Sequence, residues 1–512
     1  MADWNAGAIT DVAARPRFHR EATPIWLVTA CTLLGARAPS LSKPFRYADL
    51  GCGAGLHAVI VAATCPRAEV WGFDFNPANI EFARDLAEQA GLTNIHFEEV
   101  SFSAMAAREW PGFDFMIAEA VLSVVSPEDQ AHIHALIGRL LRPGGLAYLG
   151  YATDTGWAEF APLQTLMRVL FESGTDASDF AITRMFPFLD QLKAGGALYF
   201  QRNPILERGM DGVRSRPAAD LAHELLGQEW HPLMFADVAD AMAEAKCDFL
   251  GRATLHENIA AEAVPPAMRP LLDEAPSIRV RETMQDVAAA TGYRRDIYRR
   301  GLTFLPIAEH LERLGAITVT ATSLNPPAAS DWPGHMPPDL ALYRPLAEAS
   351  REASLTVAQA HGMDALANGS IEAAADAVAM LIAAGHAHPV MPPLVAREAA
   401  ASVARLNEAI IDAITRGEEL GYLVSPVTGA AIETNPLEAL TIGALLHARS
   451  PNDLDGMAES VSVAMRRGGR SVVRDGMAVE NPAEANAILR EVIARILEHR
   501  VPLFRRLGVP RG

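Results

Sequence analysis

Short apolar strands alternate with helices over the first third of the chain. "FRYADLG" from Phe45, "EVWGFDF" from Glu69, "IHFEEVS" from Ile95, "FDFMIAEA" from Phe113 and "LAYLGYA" from Leu146 read as strands. Each is a short run rich in aromatic, β-branched and small apolar residues. "LHAVIVAAT" from Leu56, "PANIEFARDLAEQAG" from Pro77 and "PEDQAHIHALIGRLL" from Pro127 read as the helices between them. Pro77 suits a first helical turn and Gly91 a C-terminal stop. A further helix is predicted over 22–38. Regular strand–helix alternation predicts an α/β fold with a doubly wound, Rossmann-like parallel sheet.

After Trp157 the strand signal fades. Periodic Ala/Leu-rich stretches at 159–173, 217–227, 234–246, 341–360 and 370–385 predict mostly α-helical accessory domains. The segment 315–340 is Pro-rich and reads as a linker or surface excursion. Residues 365–392 read as helix–turn–helix followed by a short strand, a winged-helix shape. The resulting division is a helical segment at 1–43, a ligand-binding α/β domain at 44–160, a helical connector at 161–214, a domain at 215–305, a helical and winged-helix-like domain at 306–420, and a C-terminal domain at 421–512. The last contains "LGYLVSPVTGAAIE" and two terminal helices.

With 512 residues, 50% hydrophobic and 21% charged, the composition supports several packed cores. The net charge of −18 excludes a nucleic-acid coat, which needs clustered Lys and Arg. No apolar run reaches the roughly 18 residues of a membrane span. Arg15, Arg17 and Arg20 ahead of "PIWLVTACTLLGARA" imitate a secretion leader, but Glu21 interrupts the basic flank and a buried helix is the favoured reading. Four scattered cysteines without a C-x-x-C predict reduced thiols and a cytoplasmic protein.

The candidate chemistry starts at "DLGCGAG", Asp49 to Gly55. The spacing G-x-G-x-G differs from the dinucleotide G-x-G-x-x-G, and no Lys follows to make a P-loop. Asp49 ends the first strand, where a pyrophosphate would lie; a carboxylate there repels phosphate and suits a cationic amino group. S-adenosylmethionine carries an ammonium and a sulfonium and no phosphate. Gly51, Gly53 and Gly55 let the backbone approach it. Asp74, ending the second strand, can accept hydrogen bonds from both ribose hydroxyls. Phe75 can lie against adenine beside Asn76, and Ser101 with the Phe102 backbone can read the adenine edge. Each residue singly is also an ordinary turn residue; the ordered set favours a nucleoside.

"YADLGCGAG", "VWGFDFNP", "FDFMIAEAVLSVV" and "LRPGGLAYLGY" together resemble the class I S-adenosylmethionine-dependent methyltransferases. The resemblance implies a seven-stranded sheet with the cofactor over strands one and two. "GFDFNPANIEFARDLAEQAGLTNIHFEEVSF", "ADLAHELLGQEWHPLMFADVADAMAEAKCDFLGRATLHENI", "ETMQDVAAATGYRRDIYRRG" and "LGYLVSPVTGA" are similar to the bacterial protein-lysine methyltransferases that modify rickettsial outer-membrane proteins. That resemblance implies a methyltransferase regulatory domain in the middle segment, near 215–300, and added domains that present a cleft for a polypeptide. On the acceptor side the chain departs from that family. Glu119, Leu122 and Val124 stand where His and two aromatics are expected, and Ala152 replaces Asn.

Methyl transfer from a sulfonium is an in-line displacement, so the protein must position and desolvate the nucleophile. A lysine acceptor must also lose a proton. Glu119, beyond the fourth strand, is the candidate to hold an amine or take that proton, and it also borders the cofactor; a solvent-facing loop Glu is the alternative. Tyr151 is the second candidate, as ring wall or hydroxyl, against a packing role beside Trp157. His132 and His134 point apart on a helix, "HE" at His223 lacks a second His, and His386 with His388 completes no ligand set, so no metal is expected. The leading reading is methyl transfer to a protein lysine. A small-molecule acceptor and a catalytically silent cofactor-binding partner are the alternatives, and self-association into a homodimer is compatible with the accessory mass.

Overall fold

The computed structural model describes residue 5 and residues 7–335, 337–448, 450, 452–474 and 477–509. Five parallel strands form as their hydrophobic runs predict: β1 (Phe45–Leu50), β2 (Ala68–Asp74), β3 (Ile95–Glu99), β4 (Phe113–Glu119) and β5 (Leu141–Ala152). Helices α1 (Pro24–Leu33), α2 (Leu56–Thr64), α3 (Pro77–Gln89), α4 (Phe102–Ala106) and α5 (Pro127–Leu140) accompany them. The Asn76 side chain caps α3 by accepting from the Ala78 N–H at 3.0 Å, Pro77 occupies its first turn, and Gly91 follows it with φ +60°. The α1 segment lies in the core, with Trp26 and Leu27 buried.

The sheet does not close within 44–160. Its last two strands are β6 (Cys247–Arg252) and β7 (Tyr293–Arg300), giving the order β3-β2-β1-β4-β5-β7-β6 with β7 antiparallel to both neighbours. The expected boundaries at 160 and 215 therefore separate strands of one sheet. The sequence "YRRDIYRR" has the charge of a surface segment, yet Arg294, Asp296 and Arg299 are all buried.

Paired charge makes this burial tolerable. Arg294 contacts Asp296 and Asp286 at 2.9 Å and Glu282 at 3.0 Å, and Arg252 on β6 contacts Glu282 and Asp286 at 2.9 Å. Glu282 and Asp286 lie one turn apart on the helix Ile278–Ala289. The Arg294 guanidinium also sits 4.1 Å from the Phe235 ring centroid.

The accessory region is mostly helical, with a small antiparallel sheet of β8 (Thr318–Ala321), β9 (Leu355–Thr356) and β10 (Ala387–Pro389) in the order β10-β8-β9. β8 lies inside 315–340, so that segment is not only a linker: "TVTA" alternates and is too short to stand out beside the prolines. Within 365–392 the structure has a single helix, Ile371–Ala383, followed by β10, so the expected helix–turn–helix is reduced there to one helix and the strand; a short helix, Val357–His361, precedes the segment. The long helix Pro393–Thr415 covers α2, whose nine residues are all buried. Ser402 donates to the Ala63 carbonyl at 2.7 Å, and Arg405 donates to Ala90 at the end of α3 at 3.0 Å. Accessory residues thus fix the helices that follow β1 and β2.

Replacing Arg294 with Met should lower stability by ~3–5 kcal/mol, because it strands Asp296 and Asp286 without their shared cation. Thermal unfolding checks this; an unchanged midpoint would assign the network no part in holding β7.

Candidate active site

At the C-terminal ends of β1, β2 and β4 the chain must turn sharply. Gly51, Gly53 and Gly55 have φ of +74°, +52° and +70°. The Gly51 and Cys52 N–H groups both donate to the Phe73 carbonyl, at 2.8 and 2.9 Å, fastening the loop to β2. A Cβ on Gly51 would lie 2.6 Å from Val121, and one on Gly55 would lie 2.4 Å from the Ala83 Cβ; a Cβ on Gly53 meets nothing within 4 Å. Gly55 serves helix–helix packing, whereas Gly53 borders open space. After β4 the backbone turns through Ala120 at φ +59°, an uncommon conformation for a residue with a Cβ.

These turns enclose a cavity of about 350 Å³, within the range of small-molecule sites. Asp49, Gly51, Gly53, Asp74, Phe75, Asn76, Ser101, Phe102 and Glu119 all line it; Gly55 and Tyr151 are not among its lining residues. Tyr151 is fully buried elsewhere, and its hydroxyl donates to Asp296 at 2.7 Å. Tyr148, three residues earlier on β5, is the tyrosine whose hydroxyl reaches Glu119, at 2.6 Å.

Each carboxylate has a distinct setting. Asp74 accepts from the Gly53 N–H on one oxygen at 2.9 Å, and from the Asn76 N–H at 2.9 Å and Asn79 at 3.1 Å on the other. It therefore holds the glycine loop and the start of α3 together, with lone-pair capacity left over. Burial raises its pKa, and the donors oppose that. Asp49 is 5% exposed. Burial first, then repulsion from Asp74 and Glu119, raises its carboxyl to about 7. Glu119 accepts from Tyr148 on one oxygen and from Tyr293, at 3.0 Å, on the other. Ser101 caps α4, its hydroxyl accepting from the Ala104 N–H at 3.3 Å.

Local patterning does not mark several further groups at the site. The extended segment before α1 crosses the cavity, and Ile9, Arg15, Arg17 and His19 line it. Arg15 and Arg17 pair with Asp220 on the helix Ala218–Leu225 at 3.5 and 2.5 Å. His223 and Trp230 line the cavity from the same region, and Tyr293 from the start of β7. Only the period-two rule along "LAYLGYA" could have preferred Tyr148 to Tyr151. Among the described residues no His, Cys, Asp and Glu group could hold a metal ion.

Two family models match the chain: a methyltransferase domain over residues 41–171 and a predicted methyltransferase regulatory domain over residues 217–300. An uncharacterized Synechocystis protein, sll1526, is 30% identical over 511 residues, 99% of each chain. The chain belongs to the class I S-adenosylmethionine-dependent methyltransferases that carry a methyltransferase regulatory domain. PKMT2 from Rickettsia typhi, solved in complex with AdoHcy, shares the fold over 98% of this chain and 100% of its own, with TM-score 0.65 and 17% identity. The trans-aconitate 2-methyltransferase of Methylobacterium radiotolerans is 36% identical over 174 residues, 34% of this chain and 57% of its own. The protein is thus an enzyme whose cofactor is S-adenosylmethionine. The regulatory-domain match includes β6 and β7, so that domain completes the catalytic sheet.

The setting of Asp49 gives a pH signature. We expect a ligand ammonium set against Asp49 to favour its carboxylate, so that binding below about 7 expels the Asp49 proton. Affinity for S-adenosylhomocysteine should fall by about tenfold per pH unit below that point and level off above it. Calorimetry between about pH 5 and 8.5 checks this. Asp49→Asn should bind more weakly, with a flat profile; a wild-type curve without a slope would move the ammonium away from Asp49.

Proposed function

We propose that the enzyme transfers methyl from S-adenosylmethionine to a protein side-chain amine, a lysine. In this reading Asp49 takes the cofactor ammonium, and Gly51 and Gly53 admit its amino-acid and ribose portions. Asp74 accepts from the ribose hydroxyls. Phe75 lies on the adenine, with Asn76, Ser101 and the Phe102 backbone around it. Gly55 holds the loop against α3 rather than touching the ligand. Tyr151 drops out of the acceptor site, and Glu119 with Tyr148 and Tyr293 forms its polar wall.

The observation that carries the acceptor reading is Glu119 in the same cavity as Asp49, with both oxygens already oriented by tyrosine hydroxyls. A carboxylate flanked by aromatic rings attracts an ammonium on a flexible stem, and the buried setting favours the neutral amine that must attack. Full-length fold likeness to PKMT2 of Rickettsia typhi, accessory regions included, supports a polypeptide acceptor. Four free thiols suit the reducing cytoplasm. No helix of the described residues is long and apolar enough to cross a membrane.

The trans-aconitate methyltransferase match favours a second reading, a small-molecule acceptor. Incubating the enzyme and radiolabelled S-adenosylmethionine with bacterial lysate separates the two. Label in a protein band that is lost on lysine blocking supports lysine; label confined to the low-molecular-weight pool supports the second reading. Glu119→Gln should lower transfer by at least ~10²-fold and leave S-adenosylhomocysteine affinity nearly unchanged. Full transfer by that variant would remove Glu119 from the acceptor site.

A further inference from the structure

Proton removal from an acceptor needs a group with a free lone pair beside the site. Each Glu119 oxygen already accepts from a tyrosine hydroxyl, Tyr148 or Tyr293, which leaves its remaining lone pairs to orient a neighbouring donor. Those phenols are held well above their ordinary range, by burial first and then by Glu119, so neither is a base. His57 is committed as well. Its Nε2 lies 2.7 Å from the Tyr47 hydroxyl, which itself donates to the Ala22 carbonyl at 3.0 Å. Nε2 must therefore carry the proton, leaving Nδ1 to accept from the His19 N–H at 3.4 Å. Burial, then His19, pulls the His57 imidazole down to about 3. His223, whose buried Nε2 has no hydrogen-bond partner among the described residues, lines the cavity from the helix Ala218–Leu225 and makes no contact with Glu119.

His19 remains. Its Nδ1 lies 3.4 Å from Glu119 Oε1, and its Nε2 has no hydrogen-bond partner among the described residues. It lines the cavity. Its position is built rather than loose: the His19 N–H is tied to α2 through His57, and the Ala22 carbonyl is tied to β1 through Tyr47. The contact is an ion-pair distance and not a hydrogen bond in this structure; a carboxylate beside Nδ1 favours the tautomer with its proton there and the lone pair on Nε2.

We propose that His19 is the general base of methyl transfer, with Glu119 as its positioning partner. The inference rests on the reading of Glu119 as an acceptor-side residue. Nε2 takes the proton from the acceptor's N–H or O–H. The electron pair left on that atom forms the bond to the methyl carbon. The carbon–sulfur bond breaks with its pair on sulfur, giving the neutral thioether S-adenosylhomocysteine. The imidazolium faces Glu119 until it releases its proton to water. The charged groups around the ring are Glu119 on β4, Arg295 on β7, His57 on α2, and Arg17 and Glu21 on its own segment. Burial, the largest influence, lowers its pKa, and Glu119 opposes this, so the imidazole is neutral at pH 7 and keeps a lone pair to accept a proton.

The test has one arm that needs the acceptor and one that does not. In single turnovers at saturating S-adenosylmethionine, with lysate protein as acceptor, His19→Gln should lose at least ~10²-fold in rate. Its S-adenosylhomocysteine affinity should hold by calorimetry. The acid limb of the wild-type pH profile should vanish in that variant, and imidazole should restore His19→Ala in a saturable way. Retention of rate within tenfold by His19→Gln overturns the proposal while leaving the lysine reading intact. Long-range ¹H–¹⁵N spectra of the wild-type S-adenosylhomocysteine complex, assigned by comparison with His19→Gln, should show the His19 proton on Nδ1. Glu119→Gln should lower the His19 pKa. A proton found on Nε2 overturns the proposal whatever the acceptor proves to be.

Discussion

The arrangement depends on two arginines, Arg252 and Arg294, held in the dry interior by the carboxylates of Glu257, Glu282, Asp286 and Asp296. Arg294, with 0% exposure, joins its own strand to the helix Ile278–Ala289, and Arg252 joins the neighbouring strand to the same helix. Such pairs add little net stability over an apolar core, because desolvation offsets most of their attraction. What they do is specify register. A strand as charged as "YRRDIYRR" has one phase in which each buried charge meets a partner. In that phase Tyr293 opposes Ala152 and its hydroxyl reaches Glu119. The acceptor wall is thereby set by a segment far along the chain from the glycine loop.

The two halves of the site solve opposite electrostatic problems. Around Glu119, two phenol hydroxyls donate to the carboxylate and an imidazole lies at ion-pair distance. Asp74 has three N–H donors, but burial and repulsion from Asp74 and Glu119 push the Asp49 carboxyl up to about 7. A ligand with an ammonium and a sulfonium relieves that repulsion, and a polyphosphate would add to it. This is the selectivity for which the acid at the end of β1 argues, now with a second acid and a closed wall behind it.

What the sequence made legible follows from how local each signal is. The five parallel strands, the three glycines and the caps of α3 are written in adjacent residues, and they lie where patterning puts them. Asp49, Asp74, Phe75, Asn76, Ser101, Phe102 and Glu119 all reach one cavity because the ends of parallel strands gather on one side of the sheet. The misjudged residues depend on direction or distance. Tyr151 and Tyr148 are an odd number of positions apart, so they face opposite sides of the sheet. β7 was hidden because its charges find partners only in three dimensions. His19 lies in a segment with no periodicity, and its role comes wholly from what it crosses.

The sheet order has a consequence for how the polypeptide is made. Until Tyr293–Arg300 has left the ribosome, β5 has no neighbour on its outer side, and a long helical stretch must emerge in between. Closing so large a loop is slow, and a bare strand edge invites pairing with other chains. The nascent half-sheet is therefore a natural client for chaperones, and synthesis arrested before that strand would yield an aggregating fragment rather than a small working enzyme.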